Sequence, residues 1–562
     1  MKKIKELFFS LVVTALVISC SGEQEIKTVV DNNDGSISIV NLEKTDAISY
    51  NKKVDGFENV TVLDGKKSTD RNLLTISLKD YADHDLFMNF SCDIKVVDKA
   101  GADHNVQWVI NEPKANLPTV AAAKLKNDTW TKMSGEIVIS IGKNRTIALT
   151  GSGFKMENVK IYIKNLNVNI SGDGIGSNSV PPVNWMDAVP LKSKLDKYFD
   201  YFGLAVNYDN EFSLKEVQEG VARHADCITW GNELKPDFIF RWAKPVALTK
   251  FVAEDGKSYD VPASIPTIKN VDTLLQVVKD NGLKLRGHVL VWHSQTPEFF
   301  FHENYDVNKP FVNKATMNAR EEWYIKYLLE YIANWEKENN NGEHIIFAWD
   351  VVNEACSDSA NAHKTLRDSG SNWYTVYKDD SFIINAFRYA NKYAPKDVLL
   401  VYNDYNSYAQ GKTDAILRVI DAIQATPDAR IDAVGMQSHI KIDYPAITGS
   451  GSFEAAVQKF VAKGLDVQIT ELDIANGKTS YNPLRLKSRY KELFEMFIRN
   501  RKTADKHGIS GITIWGLTDN KTWLNSMGEY KGYLQYPLLF TETYNCKSAF
   551  YGIVEAVDEA GD

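Results

Sequence analysis

Cysteine is scarce in this chain, with five in 562 residues. Cys92, Cys227, Cys356 and Cys546 are scattered and form no C-x-x-C pair. That spacing argues against a thiolate zinc site and a dense disulfide framework. Each reads as a buried thiol, with a single disulfide left open. A basic excess is also missing: 65 Lys and Arg face 73 Asp and Glu, for a net charge of −8. With no dense basic patch to offset that sign, a nucleic-acid partner is excluded. The apolar run from Leu7 to Ile18 is too short to cross a bilayer. No short repeat of the solenoid kind is present. What remains is an ordinary globular composition, 44% hydrophobic and 25% charged, in a chain too long for one compact core. The 12 Trp and 26 Tyr offer flat faces suited to sugar rings, although most aromatics in such a chain serve the core.

The N-terminus reads as a targeting segment. Met1-Lys2-Lys3-Ile4-Lys5 is basic and the apolar run follows, so residues 1–19 read as a signal peptide. Val17-Ile18-Ser19-Cys20 resembles the lipobox of bacterial lipoproteins. The resemblance implies that Cys20 becomes a lipidated first residue, anchored to a membrane by its acyl chains. It places the protein in the bacterial cell envelope, at the outer membrane or cell surface. An ordinary secretory signal with an incidental Cys20 is the alternative. Residues 20–35 are polar and read as a tether.

Residues 36–172 are predicted to be an all-β sandwich. Short runs with period-two alternation recur between turn residues, among them Leu74–Leu78, Val106–Ile110 and Val159–Ile163. A Gly/Ser/Asn-rich linker, 173–182, ends at Pro181-Pro182. From 183 to 556 strand-like and helix-period segments alternate. Val271, Leu274, Leu275 and Val278 make one helical stripe; Leu486, Tyr490, Leu493, Phe494 and Phe497 make another. Eight candidate strands lie near 201–206, 225–230, 284–291, 345–352, 398–402, 433–437, 466–470 and 511–515. The fold class is therefore α/β, a (β/α)8 barrel preceded by the sandwich.

A barrel of this kind carries its chemistry at the C-terminal ends of its strands. Glu354 ends the run Ile345–Asn353, and Glu471 ends the run Leu465–Thr470. A carboxylate at the end of a buried strand is costly unless the site uses it. Two such carboxylates are the minimum equipment for cleaving a glycosidic bond, one as acid and one as nucleophile or base, with no cofactor.

Five blocks, in order, are Arg286-Gly287-His288-Val289-Leu290-Val291-Trp292-His293-Ser294-Gln295, Trp349-Asp350-Val351-Val352-Asn353-Glu354-Ala355, Gln437-Ser438-His439, Ile469-Thr470-Glu471-Leu472-Asp473 and Trp515-Gly516-Leu517-Thr518-Asp519. They resemble glycoside hydrolase family 10, the retaining β-1,4-xylanases. The resemblance implies that Glu354 is the acid/base and Glu471 the nucleophile. It implies that Asn353 bonds the sugar 2-hydroxyl, and that His439 holds the nucleophile while Asp473 orients its ring. The Gln437-x-His439 spacing places both side chains on one face of an extended segment. His288 and Gln437 match contacts to sugar or nucleophile at the cleavage point. Trp292, Trp515 and Trp523 match the wall and roof of that subsite. Asn232, Lys235 and Gln295 match the grip on the next sugar on the non-reducing side.

The chain also departs from the family. Gly231 stands directly before Asn232, where a glutamate is usual; Asn520-Lys521-Thr522-Trp523-Leu524 is unusual; and the connection from Pro236 to Ile265 is long enough to reshape the cleft rim. In the sandwich, Thr129–Gly135 and Val159–Leu166 are similar to carbohydrate-binding modules of families 4, 9 and 22. Glycan binding there calls for exposed aromatics, with Trp108, Trp130, Tyr81 and Phe154 as candidates and Trp130 expected in the core. The expected function is a surface-anchored endo-1,4-β-xylanase acting on xylan or xylo-oligosaccharide. A retaining β-1,4-glucanase of mixed specificity and a non-catalytic glycan-binding lipoprotein are the alternatives.

Overall fold

In a computed structural model, the described residues are 29–561, apart from 33–34, 41, 43–44, 69–72, 79–80, 82–85, 111–118, 140–145, 153, 177–179, 242–246 and 480. The expected signal peptide, lipobox and Cys20 lie outside the described residues. The chain divides into two compact units.

The first unit is built from two sheets. Val159–Ser171 runs antiparallel to Leu86–Asp98 and also pairs with Ser36–Ile39 and Phe57–Asp64. Leu86–Asp98 pairs on its other side with Thr131–Ile139. The second sheet orders Leu74–Ser77, Thr146–Gly151, His104–Ile110 and Thr119–Leu125. Alternate residues of both sheets, including Ile94, Val96, Leu149 and Ile161, close one core.

Three expectations change here. Val29–Asp31 pairs with Ile37–Ile39, so the sheet begins inside the segment read as a tether. Trp108 is fully buried against Phe90, with ring centroids 5.0 Å apart, and is no exposed platform. Trp130 is half-buried rather than in the core: its Nε1 donates to Asp55 at 3.1 Å, and its ring meets Phe57, which is 44% exposed. Tyr81 packs partly against the core, and Phe154 stacks on His104 at 4.3 Å.

The second unit is a closed barrel. Its strands are Tyr201–Val206, Cys227–Trp230, Lys284–Trp292, Ile346–Asn353, Leu399–Asp404, Ala433–Met436, Asp466–Ala475 and Ile509–Ile514. Each pairs in parallel with the next, and the eighth pairs with the first. Strands covered on both faces read as unbroken apolar runs, which is why all eight were legible. The two predicted stripes are buried faces of the helices Asn270–Asp280 and Pro483–Arg499. Asn482 caps the latter by accepting from Arg485 N at 2.9 Å.

The linker is not wholly free chain. Asp173 is buried, and its Oδ1 accepts from the backbone N and the hydroxyl of Ser548, both at 2.5 Å, at the start of the last helix, Ser548–Gly561. A carboxylate suits that end of a helix. Ile175 is only 1% exposed within the sandwich core.

The connection from Pro236 to Ile265 also behaves differently from expectation. It forms a hairpin, Leu248–Val252 with Ser258–Pro262. The hairpin docks on the outer helices, where Glu254 N donates to Glu322 at 2.8 Å and Glu254 pairs with Arg388 at 2.6 Å. Among the described residues of 236–265, none lines the cleft.

Below the cleft floor Arg286 is buried in an ion pair with Asp350, and Gln468 Oε1 accepts from its Nε and Nη2 at 3.3 and 3.2 Å. Removing one partner of a buried pair strands the other charge. Arg286→Met is therefore expected to destabilise the barrel by about 3–5 kcal/mol, read as a lowered midpoint in urea unfolding. A change within ~0.5 kcal/mol, the usual scatter of surface substitutions, rejects this account.

Candidate active site

The C-terminal ends of the strands open into a cleft of about 770 Å3. Glu354 and Glu471 both face it, from strands four and seven. Glu354 follows the last residue of strand four and takes a left-handed conformation, φ 57°. Such a φ is costly for a residue with a side chain and collects at functional sites. Its N–H donates to Asn403 O at 2.9 Å, which ties the turn to strand five.

A chain of amides joins the two carboxyl groups. Glu354 Oε1 accepts from Gln437 Nε2 at 2.8 Å and from Asn353 Nδ2 at 3.2 Å. Asn353 Oδ1 accepts from Gln437 Nε2 at 3.1 Å and from Asn403 Nδ2 at 2.9 Å. Asn403 Nδ2 also donates to Glu471 Oε1 at 2.8 Å, and Asn403 Oδ1 accepts from Thr470 at 2.6 Å. Gly435 makes room for Asn403, since a Cβ there would lie 2.3 Å from its Oδ1. Asn403 stands one residue past the fifth predicted run, 398–402, within the strand Leu399–Asp404. Its position beside both acids depends on the closed ring.

The two carboxyls are pushed apart in acidity. Burial raises Glu354, and the charges of Asp404 and Glu471 add to that, against the hydrogen bond from Gln437. Burial also acts on Glu471, but the His439 hydrogen bond, the charges of His288 and His439, and Asn403 outweigh it and bring the carboxyl down to about 2. Similar burial thus leaves one group raised and the other lowered, according to what faces each.

His439 Nε2 faces Glu471 Oε2 at 3.2 Å, and its Nδ1 faces Asp473 Oδ2 at 2.9 Å. Against burial, these two carboxylates hold the imidazole well above its ordinary pKa. Trp523 Nε1 donates to the same Asp473 oxygen at 2.8 Å. His288 is held by Asp350, with Nδ1 2.8 Å from Oδ2. The segment carrying Gln437 and His439 is not extended as expected. Ser438 is left-handed at φ 65°, and its hydroxyl donates to Met436 O at 2.9 Å. The kink still presents both side chains to the cleft.

On one side, Lys235 Nζ donates to Gln295 Oε1 at 2.9 Å and Asn232 Oδ1 at 3.3 Å, and lies 4.9 Å above the Trp292 ring. Burial lowers its pKa. Trp515 sits edge-on to His288 and His439, at 5.6 and 6.2 Å. Trp523 sits edge-on to His439 at 4.8 Å.

Sequence alone gives no role to several residues in or beside the cleft. His293 Nδ1 lies 4.0 Å from Glu354 Oε2, and burial and then the Arg367 charge lower its pKa to about 4, leaving a neutral ring beside the acid. Tyr405 and Tyr444 line the cleft from beyond strands five and six, across the barrel from strands one and two. Arg367 positions Tyr405: it donates to the tyrosine oxygen at 2.8 Å, to Asp358 at 3.1 and 3.0 Å, and to Glu354 O at 3.2 Å. The Asn403-Asp404-Tyr405-Asn406 cluster after the fifth run was the available signal.

A closed parallel barrel with two carboxyls of opposed ionisation at strand ends has the layout of a glycoside hydrolase. Residues 190–556 match the model for glycosyl hydrolase family 10, and the chain belongs to that family. It is 33% identical over 377 residues to endo-1,4-beta-xylanase Y of Acetivibrio thermocellus, covering 65% of this chain and 32% of that protein. It is 37% identical over 292 residues to a putative endo-1,4-beta-xylanase of Caldicellulosiruptor saccharolyticus, covering 50% of this chain and 87% of that one. The chain thus spans only about a third of the length of xylanase Y. Among solved structures, the CBM22-1–GH10 modules of Clostridium thermocellum xylanase 10B, complexed with xylohexaose, align over 95% of this chain and 97% of that one. They have a TM-score of 0.55 and 26% identity. The Paenibacillus barcinonensis GH10 structure aligns over 66% of this chain and 98% of that one, with a TM-score of 0.53 and 27% identity.

The opposed acidities fix a pH profile. In the roles the family resemblance implies, Glu471 works ionised, so kcat/KM is expected to persist as pH falls well below the ordinary glutamate range. In the same roles Glu354 works protonated, so activity is expected to fall as pH rises through that group's raised pKa. Gln437→Leu removes the bond that favours the ionised form of Glu354 and should move the alkaline limb upward. A limb that stays or moves down contradicts the assignment.

Proposed function

We propose that this chain is an endo-1,4-β-xylanase that hydrolyses internal β-1,4-xylosidic bonds with retention. The observation that carries the reading is the amide-linked pair Glu354 and Glu471, with one carboxyl raised and the other lowered. In the first half-reaction Glu354 protonates the leaving oxygen while Glu471 attacks the anomeric carbon, giving a glycosyl ester on Glu471. In the second, Glu354 takes a proton from water, and the water attacks the anomeric carbon from the face the leaving group vacated, opposite the ester, and releases Glu471 as a carboxylate. Asn353 holds its amide between the two acids, where a sugar 2-hydroxyl can be bonded in the transition state. Xylan is favoured over cellulose by the roof. Trp523 is pinned to Asp473 and set edge-on to His439, and in this reading its indole excludes the hydroxymethyl group of glucose.

Wild type is expected to release reducing sugar from xylan faster than from carboxymethyl cellulose, and proton NMR should show the β-anomer first. Glu471→Ala is expected to lose on the order of 10⁴-fold or more, the scale at which nucleophile loss registers in other hydrolases. Equal release by both proteins, α-anomer first, or equal rates on the two polymers would falsify the reading.

In this reading Cys20 carries acyl chains that place the enzyme at the outer membrane or cell surface, and the sandwich binds xylan. The lipobox-like Val17–Cys20 supports the first. The likeness to a two-module xylanase along 95% of the chain supports the second. Labelled palmitate should enter the wild type and not Cys20→Ala. Inactive Glu471→Ala protein should sediment with insoluble xylan, and do so less without residues 36–171. Unlabelled wild type rejects the anchor, and equal sedimentation rejects the binding module.

A further inference from the structure

Gly231 stands directly before Asn232, where the family resemblance leads one to expect a glutamate beside the residues matched to the next sugar on the non-reducing side, Asn232, Lys235 and Gln295. The structure shows what fills that space. A Cβ at 231 would lie 2.8 Å from Asn207 Oδ1. Asn207 follows strand one, and its Oδ1 accepts from Asn232 Nδ2 at 2.9 Å. Asn207 therefore stands where a side chain at 231 would project, and it holds the neighbouring Asn232.

The next turn supplies a carboxylate. Asn210 is left-handed at φ 59°, and the chain folds back so that Glu211 Oε2 accepts from Asn207 N at 2.8 Å. Glu211 is 5% exposed, yet it lines the cleft together with Asn207, Gly231, Asn232 and Lys521. Its Oε1 stands 3.8 Å from Lys521 Nζ, which donates to Asn210 O at 2.8 Å. One carboxylate oxygen is thus committed to the backbone. The other faces a cation at a distance too long for a hydrogen bond. A carboxylate on the cleft wall with one oxygen so lightly engaged is an acceptor that sugar hydroxyls can use.

We infer that Glu211 and Asn207 form the subsite for the second sugar on the glycone side, with the hydroxyl-accepting carboxylate moved from strand two to the loop after strand one. The inference rests on the xylanase reading above. Its effect is specificity. An aryl β-xyloside fills only the cleavage subsite, whereas an aryl β-xylobioside also reaches the second. The readout is the ratio of kcat/KM for the xylobioside to that for the xyloside, which a general loss of folding or chemistry leaves unmoved. Glu211→Gln keeps size and backbone contact while weakening the acceptor, and the ratio is expected to fall about ten-fold, the scale of one charge-assisted hydrogen bond. Asn207→Ala is expected to lower it in the same direction and covers the case in which Glu211→Gln does not fold. An unchanged ratio in the folded variants overturns the inference and leaves the hydrolase reading intact, as does a loss shared equally by both substrates. A wild type that cleaves neither substrate removes the hydrolase reading, and this inference with it.

Discussion

The side-chain amide of Asn403 is the point at which the two carboxyl groups are tied together. Its nitrogen has two hydrogens: one goes to Glu471 and the other to Asn353, which in turn touches Glu354. Its oxygen is taken by Thr470. With both hydrogens and the oxygen engaged, the amide has one orientation, and the acids inherit it. Strand five, which carries Asn403, contributes no proton to the chemistry. It contributes a fixed spacing between groups from strands four and seven, and that spacing exists only because the eight strands close. Gly435 on strand six belongs to the same constraint, since any side chain there would collide with Asn403.

Around this bridge the two acids are treated in opposite ways by similar burial. Glu354 is buried among amides and beside a His293 ring whose pKa is lowered, with the like charges of Asp404 and Glu471 nearby. Glu471 is given His439, charged because Asp473 stands behind it. The difference in acidity between the two lies in what faces each oxygen.

Much of this was legible in the chain. Each barrel strand is an apolar run because parallel strands are covered on both faces, and the polar residues that end those runs gather in one cleft. What depended on contacts between loops was not legible. Asn207 and Glu211 carry no pattern of their own, and only the missing side chain of Gly231 hints that something else occupies the space. The 236–265 connection was read toward the cleft by its place in the chain, but Glu254, Glu322 and Arg388 draw it to the outside. Trp108 shares the inward parity of Val106 and Ile110, and that alternation outweighs its attraction as a surface aromatic. Trp130 lies just outside its strand, where parity gives no guidance.

Trp523 is 40% exposed at the lip of the cleft, and its indole hydrogen is given to Asp473. Lifting that ring leaves Asp473 with one donor fewer and a firmer pull on the imidazole between it and Glu471. The indole at the mouth and the carboxylate of Glu471 are thus joined through Asp473 and His439 by three consecutive polar contacts.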